Sequence, residues 1–572
     1  MAYQAPVSEL QFLFDNIVGM DRLAATERFA EATGDMRNAI LTEAARLAEE
    51  VLAPLNRNGD LHPARLENGV VRTSPGFADG YRAIAEGGWI GIAADPEFGG
   101  MGLPQTLSIA LNEMMSSSCL SLQLNPLMSQ GQIEALEHHA SDEMKALYLP
   151  KLISGEWAGT MNLTEPQAGS DVGALRSKAE PNGDGTYAVS GQKIFISWGD
   201  NDFTGNVCHL VLARLPDGVA GTKGISLFLV PKYLPDADGN PGQANSLKVV
   251  SLEHKLGLHG SPTAVMEYDR ATGWMVGAEH AGMKAMFTMM NNARLGVGTQ
   301  GLGAAEGAYQ QALAFAAERR QGKGPLADGT GTILDHADVR RMLMTMKGQI
   351  AAARAIIYDT AVSLDLAHAT DDADQAARAA FLTPIAKAFG TDTGIEVASI
   401  GVQVHGGMGF IEETGAAQFL RDVRVTAIYE GTNGIQAMDL VGRKLMDQGR
   451  AAFGMLHEIS QTVAEAEASL PDLAAFLGAG EQALIATTSW MLEQDDLNAR
   501  FAGATPYLRA FALVLGGHYL LKAAVVEGGK GPRTELARFY IRQLMIPYDA
   551  LCSQAREGVR SLYALSPEQL AG

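Results

Sequence analysis

Apolar positions in the first part of the chain fall at helical spacing, as in Ile40, Ala44, Leu47, Ala48, Val51 and Leu52, and predict a helical domain over residues 37–155. Pro and Gly near 54–60, 95–104 and 125–131 punctuate it. Between 156 and 276 the pattern changes to short apolar runs, Trp157 to Leu163, Tyr187 to Ser190, His209 to Ala213 and Gly224 to Pro231, separated by turn residues as strands require. Helical spacing returns over 277–447, in Ala304 to Arg320, Val339 to Leu366 and Ala376 to Gly401, each long enough to cross a domain. A further helical stretch, 448–572, reads as an appended bundle, and residues 1–36, with Leu10, Phe12, Leu13, Phe14 and Ile17, as an arm that packs on the body. The expectation is a mostly α protein with a central β domain.

Length supports this division, since 572 residues exceed one ordinary core and leave room to hide a large cofactor. A net charge of −21 argues against a nucleic-acid or anionic-membrane surface, so any phosphate must be held by local cations. Cys119, Cys208 and Cys552 lie far apart and outside any C-x-x-C pair, which indicates neither a disulfide framework nor a thiolate metal site. The opening Met1-Ala2-Tyr3-Gln4-Ala5-Pro6 lacks a basic, apolar leader, and a cytoplasmic protein is expected. Ala510 to Leu521, bounded by Arg509 and Lys522, reads as a buried helix too short to span a bilayer. The histidines show no H-E-x-x-H spacing and no metal is expected; His138-His139 reads as a solvated helix end and His405 as part of a tight Gly-rich loop.

Gly296-Val297-Gly298-Thr299-Gln300-Gly301 matches G-x-G-x-x-G, but no strand precedes it and small residues run on into a long helix, so it reads as tight helix packing. The stronger candidate is Glu430 in Ile428-Tyr429-Glu430-Gly431-Thr432-Asn433. A carboxyl held between apolar residues and a Gly turn is partly desolvated, which raises its pKa toward the range of a general base for a weakly acidic C–H. Upstream stand Leu163-Thr164-Glu165-Pro166-Gln167-Ala168-Gly169-Ser170-Asp171, Gly191-Gln192-Lys193-Ile194-Phe195-Ile196-Ser197, Gln403-Val404-His405-Gly406-Gly407 and Leu420-Arg421-Asp422. In this order and spacing the motifs resemble the acyl-CoA dehydrogenase family, flavoenzymes that desaturate acyl-CoA thioesters between Cα and Cβ.

The resemblance implies a helical N-terminal domain, a β-barrel-like middle domain and a helical-bundle C-terminal domain. It also implies a flavin adenine dinucleotide (FAD) site. Met161, Leu163 and Thr164 would face the flavin ring, and Gly169 and Ser170 the pyrophosphate, with Gln167 standing where the family has Gly. Phe195 and Ile196 would cover the isoalloxazine, and the Ser197 hydroxyl would meet its N5 edge. Arg319 would reach the pyrophosphate of a neighbouring subunit, and Gln403, Gly406 and Gly407 the adenosine half, which implies at least a dimer, or a tetramer. Thr432 would touch the cofactor, while Arg294, Asn291 and Gly431 would lie on the acyl-CoA. Glu430 would be the base; Ala293 occupies the alternative base position of some members and leaves it unrivalled. An electron-transferring flavoprotein is the implied electron acceptor. The arm and the appended bundle resemble the long bacterial branch, which implies either a short thioether substrate such as 3-methylthiopropionyl-CoA or a medium- to long-chain fatty acyl-CoA. An acyl-CoA oxidase and a non-catalytic flavin or acyl-CoA-binding protein are the rival readings.

Overall fold

The computed structural model describes residues 3–326 and 328–572, with Asn291 described by its backbone alone. The chain forms two compact units, one of Ala39–Gly296 with the short segment before Pro6, the other joining Pro6–Asn38 to Val297–Gly572.

Besides two small two-stranded sheets, the first unit holds a seven-stranded sheet of β1 (Trp157–Asn162), β2 (Lys178–Pro181), β3 (Tyr187–Ser197), β4 (Asn206–Arg214), β5 (Ile225–Pro231), β6 (Leu247–Leu252) and β7 (Thr263–Val276). Their order is β6-β7-β3-β2-β4-β1, and β5 pairs with both β7 and β4. The ring β7-β3-β2-β4-β5 therefore closes on itself as a barrel, with β6 and β1 each paired on one side outside the ring. Val189, Ile196, Val211, Phe228, Val230, Met266 and Tyr268 fill its core. β4 and β5 are buried along nearly their whole length, which is why they read as unbroken apolar runs. β1 pairs in parallel with β4, Thr160 opposite His209, and so carries Met161 and Leu163 to one end of the barrel.

Before the barrel lie α1 (Gln105–His139) and α2 (Asp142–Ile153). The Pro/Gly residues of 125–131 do not interrupt α1; its break is at Cys119, whose backbone leaves helical geometry at φ −158° and ψ 82°. His139 is not simply solvated, since its Nε2 lies 2.8 Å from Thr288 Oγ1.

The long α3 (Gly282–Glu318) starts well ahead of Ala304, and α4 (Ala337–Thr370) and α5 (Ala373–Val404) follow. Of the glycines of the G-x-G-x-x-G segment, all within α3, Gly298 and Gly301 lie against α5. A Cβ on Gly301 would stand 2.4 Å from the carbonyl oxygen of Gly390, and one on Gly394 would stand 2.6 Å from that of Gly301. Backbone meets backbone here and neither side can yield. Gly301→Val is expected to lower unfolding free energy by about 1–3 kcal/mol or more in a denaturant titration. An unchanged midpoint would show that the two helices are not in this register.

After α5 come the short α6 (Asn433–Asp439) and the appended helices α7 (Arg450–Ala466), α8 (Pro471–Glu493) and α9 (Leu497–Val526). α9 corrects the expectation of a short apolar segment, because its 30 residues are long and apolar enough to cross a membrane. Yet 72% of its most apolar window is buried inside the protein, so that surface is already used in packing. The N-terminal arm packs on the same unit. Lys522 Nζ donates to the carbonyl of Ile17 at 2.7 Å, Arg533 lies 3.7 Å over the Phe12 ring, and Phe14 meets Tyr358 edge-on at 5.4 Å.

Candidate active site

The loop from Leu163 to Ser177 is held at the barrel end by a buried ion pair that sequence reasoning had not singled out. Lys193 of β3 is fully buried, and its Nζ donates to Glu165 Oε1 at 2.8 Å and to the carbonyl of Leu163 at 3.0 Å. The same carboxylate accepts the Ser177 N–H and hydroxyl at 3.0 and 2.6 Å, the Arg176 N–H at 2.7 Å and Gln167 Nε2 at 2.6 Å. Burial pushes the Glu165 carboxyl up, but the Lys193 ammonium and these hydrogen bonds outweigh it and hold it well below the usual range, at about 2. Burial also pulls the Lys193 ammonium down, against the attraction of Glu165. Gln167 thus fits the loop through its bond to Glu165. A Lys among the apolar residues of a strand was the available signal, because a buried ammonium demands a partner.

This clamp gathers most of the residues expected around the flavin ring. The Ile194 N–H donates to the Thr164 carbonyl at 2.9 Å, and Thr160 Oγ1, beside Met161, donates to the Ser197 carbonyl at 2.7 Å. Phe195 has φ 61° and Trp198 φ 53°, left-handed values that cost a non-glycine residue about 1–3 kcal/mol each. The Trp198 ring is buried and its Nε1 donates to the Ser121 carbonyl at 3.2 Å. Phe195 points outward with 59% of its surface exposed, next to Ile196, which is buried, and Ser197, which is not. Gly169 and Ser170 are exposed on the neighbouring turn, where a Cβ on Gly169 would meet nothing within 4 Å. An open aromatic face beside hydroxyls and an exposed Gly-Ser turn suits a flat heteroaromatic with a polar edge and an attached phosphate, so the residues fit a flavin dinucleotide.

Arg294 lies in α3 with 6% of its surface exposed, so it is no solvated surface cation. The side chain of Asn291 lies outside the described residues.

In the other unit the segment ahead of α6 carries Glu430. Its φ is 55°, a left-handed value for a residue with a Cβ, and Gly431 follows at φ 82°. Three side chains keep the segment in this form. Gln436, fully buried in α6, donates from Nε2 to the Glu430 carbonyl at 3.1 Å and the Gly431 carbonyl at 3.4 Å. Thr432 caps α6, its Oγ1 accepting the Ile435 N–H at 3.2 Å. The Tyr429 hydroxyl donates to Gln300 Oε1 on α3, and burial pushes that phenol's pKa up. Glu430 itself is half-buried. Of Ile428 and Tyr429, both expected to shield Glu430 on the side opposite the Gly431 turn, Ile428 is 52% exposed.

Arg319, just past the end of α3, is exposed, as are Gln403, Gly406 and Gly407 at the end of α5. The two helix ends meet, since Phe315 stacks on His405 with ring centroids 4.5 Å apart and Gln311 Nε2 donates to the Thr414 carbonyl at 2.6 Å. His405 is buried and bonded through Nδ1 to the Gly401 carbonyl at 2.7 Å, and burial lowers its pKa, which suits a loop anchor.

Comparison with known proteins agrees with this geometry. The chain matches the acyl-CoA dehydrogenase N-terminal domain over residues 35–156, the middle domain over 160–271 and the C-terminal domain over 280–446, and an acetyl-CoA dehydrogenase C-terminal-like domain over 455–566. It is 43% identical to 3-methylmercaptopropionyl-CoA dehydrogenase of Ruegeria pomeroyi, across 99% of this chain and 100% of that protein. Among solved structures, Caenorhabditis elegans ACDH-11 in complex with C11-CoA superposes with a TM-score of 0.79 at 22% identity, covering 95% of this chain and 94% of that one. An acyl-CoA dehydrogenase complexed with FAD from Bacillus anthracis gives a TM-score of 0.75 at 19% identity over 97% and 92%. The chain belongs to the acyl-CoA dehydrogenase family, as an FAD-dependent oxidoreductase that acts on a CH–CH bond of an acyl-CoA and carries an extra C-terminal helical region.

Proposed function

We propose that Glu430 is the general base of an α,β-desaturation that yields a trans-2-enoyl-CoA, and that the substrate is a short acyl-CoA of the 3-methylthiopropionyl type. The observation that carries the assignment of the base is the clamped, left-handed backbone of Glu430, since strain of this kind persists only where the surroundings impose it. Glu430 takes the α proton, and its own backbone N–H donates to the thioester carbonyl as enolate charge develops there. Thr432 and Gln436 hold the backbone that carries the carboxylate through that step. FAD, when bound, supplies the acceptor for the β hydride at N5. Thr164, Ser170, Ser197 and Phe195 would hold and cover it, Arg319 would meet its pyrophosphate, and Arg294 and Gly431 would serve the acyl-CoA. An electron-transferring flavoprotein would serve as the electron acceptor.

The exposed Met408, Phe410 and Ile411, beside Gln403 and Gly407, support self-association of the chain through this face, with Arg319 serving the cofactor of the neighbouring copy. The substrate reading rests on the full-length likeness to the Ruegeria protein. The Met283, Met286, Met289 and Met290 cluster adds nothing to it, because Met286 and Met289 are fully buried and a Cβ on Gly131 would stand 2.9 Å from Met289 Cγ, as in ordinary core packing.

The purified protein is expected to be yellow and to bleach anaerobically with its acyl-CoA. Comparing kcat/KM for butanoyl-, octanoyl-, palmitoyl- and 3-methylthiopropionyl-CoA with an artificial electron acceptor tests the substrate, each favourable methylene being worth about 1–3 kcal/mol. Preference for the short thioether is expected; preference for palmitoyl-CoA would overturn the short-chain reading, and a colourless protein that takes up no flavin would overturn the mechanism.

A further inference from the structure

Helix α6 begins one residue after Thr432, and polar groups hold its first residue from two sides. Asn433 Oδ1 accepts Lys387 Nζ at 2.9 Å, and Asn433 Nδ2 donates to Asp392 Oδ1 at 2.7 Å. Both partners belong to α5. The other oxygen of Asp392, Oδ2, stands 3.8 Å from Nη1 of Arg509, a residue of α9 in the appended region. Arg509 is itself fixed, since its Nη2 donates to both oxygens of Glu396 at 2.7 and 2.9 Å and its guanidinium lies 5.2 Å from the centre of the Phe389 ring. Beside this chain of contacts runs a cleft of about 320 Å³ lined in part by Asp392, Glu396, Asn433, Ala437 and Arg509.

α6 itself packs through buried Gln436, Ala437 and Asp439, while its first residue is fixed by hydrogen bonds, Asn433 Nδ2 also donating to Thr391 Oγ1 at 3.0 Å. Burial pushes the Asp392 carboxyl up, and Arg509 is the largest influence in the opposite direction. Loss of the guanidinium therefore weakens the carboxylate that holds Asn433.

We propose that Arg509 is a positioning residue for the reaction: through Asp392 it holds Asn433, and with it the Glu430–Thr432 segment, so that the appended region sets the geometry of the base. This rests on Glu430 being the base.

The test uses full-length, FAD-loaded Arg509→Gln and Arg509→Lys. Two rates per bound flavin are read: anaerobic bleaching at saturating acyl-CoA, and entry of solvent deuterium at the substrate Cα. A small displacement of a reacting group can cost up to about a hundredfold. Arg509→Gln is expected to slow both rates about ten- to a hundredfold with little change in the half-saturating concentration or FAD content, and Arg509→Lys to recover most of the loss. Should Arg509→Gln fail to give folded holoenzyme, Asp392→Asn decides by the same readouts. Unchanged rates per bound flavin in a folded variant, or a loss confined to FAD content and melting temperature, would overturn the positioning role. If Glu430→Gln is inactive while Arg509→Gln is unaffected, only this role falls; if Glu430→Gln stays active, the assignment of the base falls.

Discussion

Glu430→Gln is expected to lower acyl-CoA turnover by about 10²–10⁴-fold, the usual contribution of a positioned general base, while the protein stays yellow. The substitution keeps side-chain volume and leaves untouched the contacts that shape the segment, because Gln436 bonds the carbonyls of Glu430 and Gly431 and Thr432 bonds the Ile435 N–H. The proton acceptor is removed. Flavin absorbance measured with steady-state turnover separates the two effects: normal flavin content with activity within about twofold of the parent, far inside the contribution of a base, would place the base elsewhere.

The second large effect is expected at Lys193. Lys193→Met leaves the Glu165 carboxylate buried without its cation, a change that costs about 3–5 kcal/mol when a buried pair is broken from one side. The loop from Leu163 to Ser170 is tied to β3 through this pair, so FAD retention should fall together with stability. Glu165→Leu in the same chain should recover part of the loss, since an apolar pair of similar volume escapes the desolvation penalty. The parent carries a pH signature. The folded Glu165 carboxyl is held at about 2, below its unfolded value, so its stabilisation is present above the ordinary carboxylate range and is lost as pH falls through that window toward 2. In Lys193→Met this acid-side loss should shrink. Denaturant titrations of both proteins across pH 3–7 read it, and an unchanged pH slope would show that the pair does not couple to folding.

Period and composition read best where one physical demand dominates. β4 and β5 are buried on both faces and stand out as apolar runs, and α4 and α5 are long enough for their period to be plain. β7 was missed because its residues are only half-buried in alternation and it bends at Asp269-Arg270, where its pairing with β3 slips. The first half of α3 was missed for the opposite reason, since a helix with buried residues on most sides loses the polar stripe that marks its period. Motif order along the chain pointed to the site residues. What it could not convey was their support: Lys193 beneath Leu163 and Gln300 beneath Tyr429 are pairings across long stretches of chain, and no local pattern announces which distant partner a polar group will find.

The route of the chain has a consequence for synthesis. Residues 6–38 emerge before residues 297–572, with which they share a compact unit, while the intervening 39–296 make up most of the other unit. At a translation rate of about 5–20 residues per second, the middle unit can finish folding on the ribosome while the arm waits for helices not yet made. Throughout that interval Leu10, Leu13, Phe14 and Ile17, all buried in the finished protein, have no surface to cover them. Aggregation in cells should therefore be governed by this waiting interval, and a solubilising partner fused ahead of the arm would act there and not on the mature fold.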